Sequence, residues 1–147
     1  MKYLKKLNPQ ELGFRKGILR TGGYFYISKK AANVFFGSLS KHVNNDSKIL
    51  KISSVDNTFA FAEMSYVYHN DKWNSAKGSR DEYRIYLNRQ IQFHALHFMP
   101  NDIVVFEKTD ETYSFLHLKE NDKRYQKYLS LLDLHGIKGN HAIISGK

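Results

Sequence analysis

Between Asp81 and Leu87 the side chains alternate without a break, Glu82, Arg84 and Tyr86 on one parity and Tyr83, Ile85 and Leu87 on the other. A period of two marks a half-buried strand, with one face on a core and one toward solvent. The residues leading into it are of the opposite kind. From Tyr68 to Arg80 the chain reads Tyr-His-Asn-Asp-Lys-Trp-Asn-Ser-Ala-Lys-Gly-Ser-Arg, polar, basic and aromatic, with a turn-making Gly78 and no apolar face to bury. A chain that joins such a loop to such a strand has to project the loop from a β scaffold.

The other segments supply that scaffold. Tyr24-Phe25-Tyr26-Ile27-Ser28 follows the Gly22-Gly23 breaker and reads as a strand. Lys29 to Phe36 is helical in character, with Ser28 as N-cap, an apolar face from Ala31, Ala32 and the Val34-Phe35-Phe36 group, and Gly37 as terminator. Lys48 to Ile52 is a second strand. Thr58 to Tyr68 is a longer one in which Phe59, Phe61 and Glu63 alternate with Ala60, Ala62 and Met64, so either both faces are covered or the strand is bulged. Asn88 caps a short helix through Leu96, and the Pro100-Asn101-Asp102 turn opens a strand at Ile103 to Glu107. The Asp110-Glu111 turn pairs that strand with Tyr113 to Leu118 as a hairpin. Asn121-Asp122 starts a helix running to about Leu132, with Tyr125, Tyr128, Leu129 and Leu132 near helical spacing.

Ten Tyr, ten Phe and only two Pro favour strands over a helical bundle, and no βαβ rhythm is present. The expectation is a mostly β (α+β) chain, a barrel of about seven strands with two or three short flanking helices. At 147 residues one domain is expected, spanning 1–134, with the glycine-containing residues 135–147 expected as a linker or tail that leads to a partner domain.

Charge narrows the function. Lys and Arg number 23 against 14 acidic residues, a net charge of +9 and a pI near 9.6. A field of that sign draws polyanions, nucleic acid first among them. With no Cys, disulfides, thiolate zinc sites and Cys nucleophiles are excluded. The charged start, Met1-Lys2-Tyr3-Leu4-Lys5-Lys6, is not a signal peptide, and no apolar run approaches the roughly 20 residues of a spanning helix. The expected setting is cytoplasmic, with no membrane partner.

A second polar loop, Asn8 to Gly23, precedes the first of the strands above. It carries four glycines, with Arg15, Lys16 and Arg20 supplying positive charge. The two loops and their flanking strands, across roughly Leu7 to Leu118, resemble the DNA-recognition domains of EcoRII-, BfiI- and NgoAVII-type restriction enzymes. The family's Gly-Thr-Arg-Asn-Glu-Tyr-Arg segment is matched by Gly78-Ser79-Arg80-Asp81-Glu82-Tyr83-Arg84. Its Gly-Asp-Leu-Leu-Val-Phe-Glu-Lys strand is matched by Asn101 to Lys108. The family's Thr-Gly-Gly-His run in the first loop is absent here.

The resemblance implies a DNA-binding pseudobarrel of the kind also found in plant B-three transcription factors, whose two arms grip the major groove. It implies an N-arm with Arg15, Lys16 and Arg20. It places Arg80, Asp81, Glu82 and Arg84 at or just after a C-arm, to which the polar loop itself adds His69, Lys72, Asn74, Lys77 and Ser79 as hydrogen-bonding side chains and Trp73 as a flat stacking surface. Arg reads guanine edges and Asp or Glu accepts from cytosine, so acids among the bases suit a reading loop. Local pairing of Asp81 and Glu82 with Arg80 or Arg84 is the structural alternative. The implied role is sequence-specific recognition of double-stranded DNA within a bacterial restriction system. A nuclease or a McrB-like GTPase motor, as in LlaJI-type systems, would then be the partner domain or subunit.

The isolated chain is expected not to be an enzyme and to need no cofactor and no metal. Pro100-Asn101-Asp102 with Glu107-Lys108 falls short of the Pro-Asp…Glu-x-Lys nuclease signature, because no residue separates Glu107 from Lys108 and their side chains take opposite faces of a strand. His94 and His97 form a pair without a third ligand. Six residues separate Gly139 from Gly146, not the four of a phosphate loop, and no Ser or Thr follows Lys147. The alternatives are a β-barrel for single-stranded DNA or RNA, which would place Tyr and Phe on an exposed strand face for stacking, and a small metal-dependent nuclease.

Overall fold

A computed structural model describes residues 1–9, 11–12, 24–56, 62–70, 81–86, 98–136 and 140–145, and the backbone alone of 14–15 and 18–19. The strands are β1 (Lys2–Lys6), β2 (Phe14–Arg15), β3 (Ile18–Leu19), β4 (Tyr24–Ile27), β5 (Ser47–Ser54), β6 (Ala62–His69), β7 (Glu82–Tyr86), β8 (Ile103–Thr109), β9 (Thr112–Leu118) and β10 (His141–Ile144). Helix α1 (Lys29–Ala31) runs on as a π-helical turn over Ala32–Phe36, and α2 spans Tyr125–His135. Eight strands form one curled half-barrel sheet in the order β10-β1-β8-β9-β5-β6-β7-β4, and β2 pairs with β3 separately. Within the large sheet β5 and β9 run parallel, Ile52 beside Tyr113, and the remaining pairings are antiparallel.

The expected mostly β pseudobarrel is present. The hairpin closes at Asp110, whose φ of 54° is a left-handed conformation that a short acidic side chain tolerates. Ser28 caps α1, its Oγ accepting from the Ala31 amide at 3.1 Å, and Gly37 ends the π turn at φ 97°. A side chain there would be strained by the backbone and would meet the Lys48 ammonium at 3.0 Å. The freed Gly37 carbonyl accepts from the buried Tyr66 hydroxyl at 2.9 Å.

Two expectations need correction, and one strand stands where none was expected: the chain start is β1, with Tyr3 and Leu4 fully buried. The 135–147 tail, read as a linker, contributes β10, which pairs with β1 through Leu4 and Ala142, both buried. Residues 121–124 form turns, and α2 begins at Tyr125 because Asp122 binds the Arg124 amide (2.8 Å) and guanidinium in place of capping a helix from 121. The expected helix over 88–96 and the first residues of the 58–68 strand lie outside the described residues. Among the described residues no helix is long and apolar enough to cross a membrane.

The sheet divides the molecule into two packed layers. On its concave side Tyr3, Phe25, Phe35, Phe36, Tyr66, Phe98, Phe106 and Phe115 build an aromatic core, with the Phe106 and Phe115 ring centroids 5.2 Å apart. On the other side of β1, β8, β9 and β10 lie Leu4, Ile103, Val105, Leu116, Leu118 and Ala142, covered by Tyr125, Tyr128 and Leu132 of α2. Alternation along β8 shows the division directly, since Val104 and Phe106 face one core and Ile103 and Val105 the other. On β4 and β7 only one parity is buried, and on β6 the other parity is buried only at its last residue, His69.

Candidate nucleic-acid interface

The two loops singled out in the sequence are rooted on one small piece of sheet. Chain leaving the first loop enters β4 at Tyr24. The second loop leaves β6 at His69 and returns into β7 through Asp81. Antiparallel pairing sets Tyr24 opposite Tyr86 and Ile27 opposite Tyr83. The N-arm root therefore lies at one end of the β4–β7 pair and the C-arm root at the other. Three residue steps along β4 separate them, roughly 10 Å at about 3.3 Å per residue.

Between the roots the outward parity presents Tyr24 and Tyr26 from β4, Glu82, Arg84 and Tyr86 from β7, and Ser65, Val67 and His69 from β6. Arg84 organises this floor. Its guanidinium carbon stands 4.1 Å from the centre of the Tyr24 ring, its Nη1 donates to the Tyr86 hydroxyl at 3.1 Å, and its Nη2 is paired with Glu82. Burial works against the Arg84 charge, but the Tyr86 hydroxyl, the Tyr24 ring and Glu82 outweigh it and hold the guanidinium's pKa above its ordinary value. The Tyr86 hydroxyl also meets His69 Nε2 at 2.6 Å.

The C-arm root is fastened by side chains that reach into neighbouring loops. Asn70, 2% exposed, donates through Nδ2 to the carbonyls of Lys41 (3.0 Å) and Val43 (2.9 Å) and accepts the Asn45 amide through Oδ1 at 2.7 Å. At the returning end Asp81 accepts from the Tyr68 hydroxyl and from the Lys29 ammonium, both at 2.5 Å. The Asp81 hydrogen bond, with burial added, pushes the Tyr68 hydroxyl up to about 12. Tyr68 and Tyr83 stack at 4.4 Å and 14°. With Lys29, Asn33, Lys41, Asn70 and Asp81 these rings line a cleft of about 360 Å³ at the base of the arm.

The N-arm root is held differently. Glu11, in the loop before the arm, and Lys5 of β1 form an ion pair at 3.2 Å with both side chains buried. Beyond this root the arm itself contains the β2–β3 pairing, Phe14 opposite Leu19 and Arg15 opposite Ile18.

Of the sequence-derived site residues, His69, Asp81, Glu82 and Arg84 are brought to this floor and root, each hydrogen-bonded inside the protein through at least one side-chain atom. Arg15 is placed by its backbone in β2. Lys16, Arg20, Lys72, Trp73, Asn74, Lys77, Ser79 and Arg80 lie outside the described residues, as do His94 and His97. Sequence reading passed over Tyr24, Tyr26, Tyr86, Asn70, Lys29, Lys5 and Glu11. For Tyr24, Tyr26 and Tyr86 strand alternation was the available signal, and for Glu11 the Asn8 three residues before it; Asn70 and Lys29 find their partners far off in sequence, where no local pattern marks them.

The nuclease-like residues are separated by the fold. Asp102 is 2% exposed and accepts from the Met99 amide (2.9 Å), His117 Nε2 (2.6 Å) and Lys119 Nζ (3.0 Å). Burial pushes its carboxyl up, but these three donors prevail and hold it below the usual range. Glu107 lies five strand residues away, roughly 16 Å, facing Lys2 at 3.8 Å, so the two carboxylates do not share a metal. Among the described residues no group of three or more His, Cys, Asp or Glu could hold a metal ion.

No protein-family model and no curated protein matches the chain. Solved structures do. The N-terminal domain of Helicobacter pylori LlaJI.R1 superposes with a TM-score of 0.64 at 19% identity over 100% of both chains. The Arabidopsis FUS3 chain, solved as a complex with DNA, superposes with a TM-score of 0.54 at 14% identity, covering 79% of this chain and 94% of that one. At such identities the likeness concerns architecture, and with the curled eight-stranded sheet it shows a B-three-like pseudobarrel fold.

Proposed function

We propose that this chain binds double-stranded DNA sequence-specifically, its two arms entering the major groove on either side of the β4–β7 floor. The observation that carries the reading is the placement of the arm roots. They stand roughly 10 Å apart along one strand pair, a separation matched to a major groove about 12 Å wide, on a chain of net charge +9. The similarity to FUS3, whose structure is a complex with DNA, supports the same partner here.

In this reading Arg15, Lys16 and Arg20 of the N-arm contact phosphates and set the register. Lys72, Trp73, Asn74, Lys77, Ser79 and Arg80 of the C-arm meet base edges and the flanking backbone. His69, Asp81, Glu82 and Arg84 shape the floor and the root from which that arm reads. The chain itself catalyses nothing. It serves as the target-recognition module of a bacterial restriction system in the cytoplasm, and a nuclease or McrB-like GTPase motor, in another domain or subunit, acts on the DNA it marks. Likeness to a domain described as the N-terminal part of LlaJI.R1 favours such a modular arrangement.

Selection of bound duplexes from a random pool tests the reading. Enrichment of one short motif is expected. Uniform recovery of all sequences, or equal competition by single strands, would count against it. A plasmid incubated with the chain and magnesium should remain uncut.

A further inference from the structure

Glu11 is a buried charge that the proposed interface leaves unused, and its partners gather about the root of one loop. It is 3% exposed, as is Lys5. Its Oε1 accepts from the Asn8 amide at 2.9 Å, while its own amide donates to Asn8 Oδ1 at 2.9 Å. Its Oε2 accepts from the Tyr26 amide at 2.8 Å and lies 3.2 Å from Lys5 Nζ. Its carbonyl accepts from the Tyr24 amide at 3.3 Å. One residue thus ties the chain entering the N-arm to the strand leaving it, through both backbone and carboxylate.

Core filling does not account for this choice. Burial pushes the Glu11 carboxyl above its ordinary range despite Lys5 and the two amides, so holding it charged there is costly. An apolar side chain would fill the space at lower cost. It could not accept amides from both ends of a loop, and closing that loop is what a carboxylate with two oxygens can do.

We propose that Glu11, steadied by Lys5, is a positioning residue for the N-arm, closing the loop at its root and fixing the direction in which β2 and β3 leave the barrel. The proposal rests on the DNA-binding reading for its consequence, and on the geometry alone for its structural half. Lys5 also lies 6.0 Å from the centre of the Tyr26 ring, which faces the floor between the arms. The same pair therefore couples the N-arm root to the floor.

The test uses trypsin on the intact chain, since Arg15, Lys16 and Arg20 place cleavage sites in the N-arm, with duplex affinity measured in parallel. Glu11→Gln retains the shape, accepts through one oxygen only and leaves Lys5 buried without a counter-charge. The double variant Lys5→Met/Glu11→Gln removes both charges and guards against misfolding. In each folded variant, cleavage at the N-arm sites should rise about tenfold relative to sites elsewhere, through local opening, and duplex affinity should fall about tenfold. Leu132→Ala, which weakens the opposite layer, serves as the stability control and should leave both ratios within about twofold.

A folded double variant with wild-type cleavage and affinity would overturn the proposal. So would a double variant that does not fold, because a positioning role leaves the core intact. Faster N-arm cleavage with unchanged affinity would overturn the link to DNA. Failure of the unmodified chain to bind any duplex would instead count against the function proposed above, and the cleavage ratios would still decide the role of Glu11.

Discussion

The two halves of the sheet are built from the same kinds of residue and put them to different uses. In β1, β8, β9 and β10 both parities are covered, by the aromatic core on one side and α2 on the other. In β4, β6 and β7 one parity is covered and the other carries Tyr24, Tyr26, His69, Glu82, Arg84 and Tyr86, tied to one another over an open floor. The closed half can spend its side chains on packing. The open half must satisfy polar groups laterally, and its two loops then need anchored roots. Stability should therefore be concentrated in the first half and ligand contacts in the second.

The largest expected effect is on the closed side. Phe106 is fully buried and contacts the rings of Phe36 and Phe115. Phe106→Ala should cost about 3–5 kcal/mol in denaturant unfolding, while the fraction still folded keeps its affinity for duplex DNA. A large affinity loss in the folded fraction would show that the two halves are not separable.

Next comes a substitution at a C-arm root. Asn70→Ala leaves the carbonyls of Lys41 and Val43 and the Asn45 amide without their partner, so unfolding should be easier by about 1–3 kcal/mol. Discrimination among duplexes should weaken with it. Retained specificity would mean that the arm does not depend on this root.

Arg80→Ala probes reading itself. It should reduce affinity for the preferred duplex by about 1–3 kcal/mol and relax one base position, with the melting temperature unchanged. A folded variant with full affinity and specificity would remove Arg80 from the interface, and a marked drop in melting temperature would assign it to loop structure.

An acid titration makes a smaller demand on the closed side. Hydrogen bonds from Arg124 hold the Asp122 carboxyl down at about 2, and the donors around Asp102 hold that carboxyl below its ordinary value. Folded-state values lower than unfolded ones mean stabilisation that is present above about pH 4 and lost as pH falls toward 2. Asp102→Asn should flatten that acid limb of the stability curve, and an unchanged limb would deny the carboxylate its role. Smallest of all is Lys16→Ala, expected to weaken all duplexes about equally and to lower the salt slope by about one unit.

How far the sequence disclosed this arrangement depends on where each residue finds its partner. Alternation at Tyr83 and Ile85, and the Asp110-Glu111 turn between two apolar runs, made β7 and the β8–β9 hairpin legible. β1 was hidden because three of its five residues are Lys, which by composition alone belongs on a surface. Lys5 is buried only because Glu11 accompanies it. β10 was hidden for a related reason. His141-Ala142-Ile143-Ile144 follows a glycine-bearing stretch and becomes a strand by pairing with the opposite end of the chain. At the candidate site the local pairing of Glu82 with Arg84 was open to sequence reading. The Lys29–Asp81 pair, spanning 52 positions, was not.

The central claim is that the open half grips duplex DNA through basic arms. Its most direct test is the affinity of the intact chain for a selected duplex, measured across a range of salt concentrations beside the corresponding single strand. With about five phosphates contacted, log affinity should fall against log salt with a slope near −4 to −5, and the duplex should be bound in preference. A slope near zero, or equal binding of the single strand, would contradict the account.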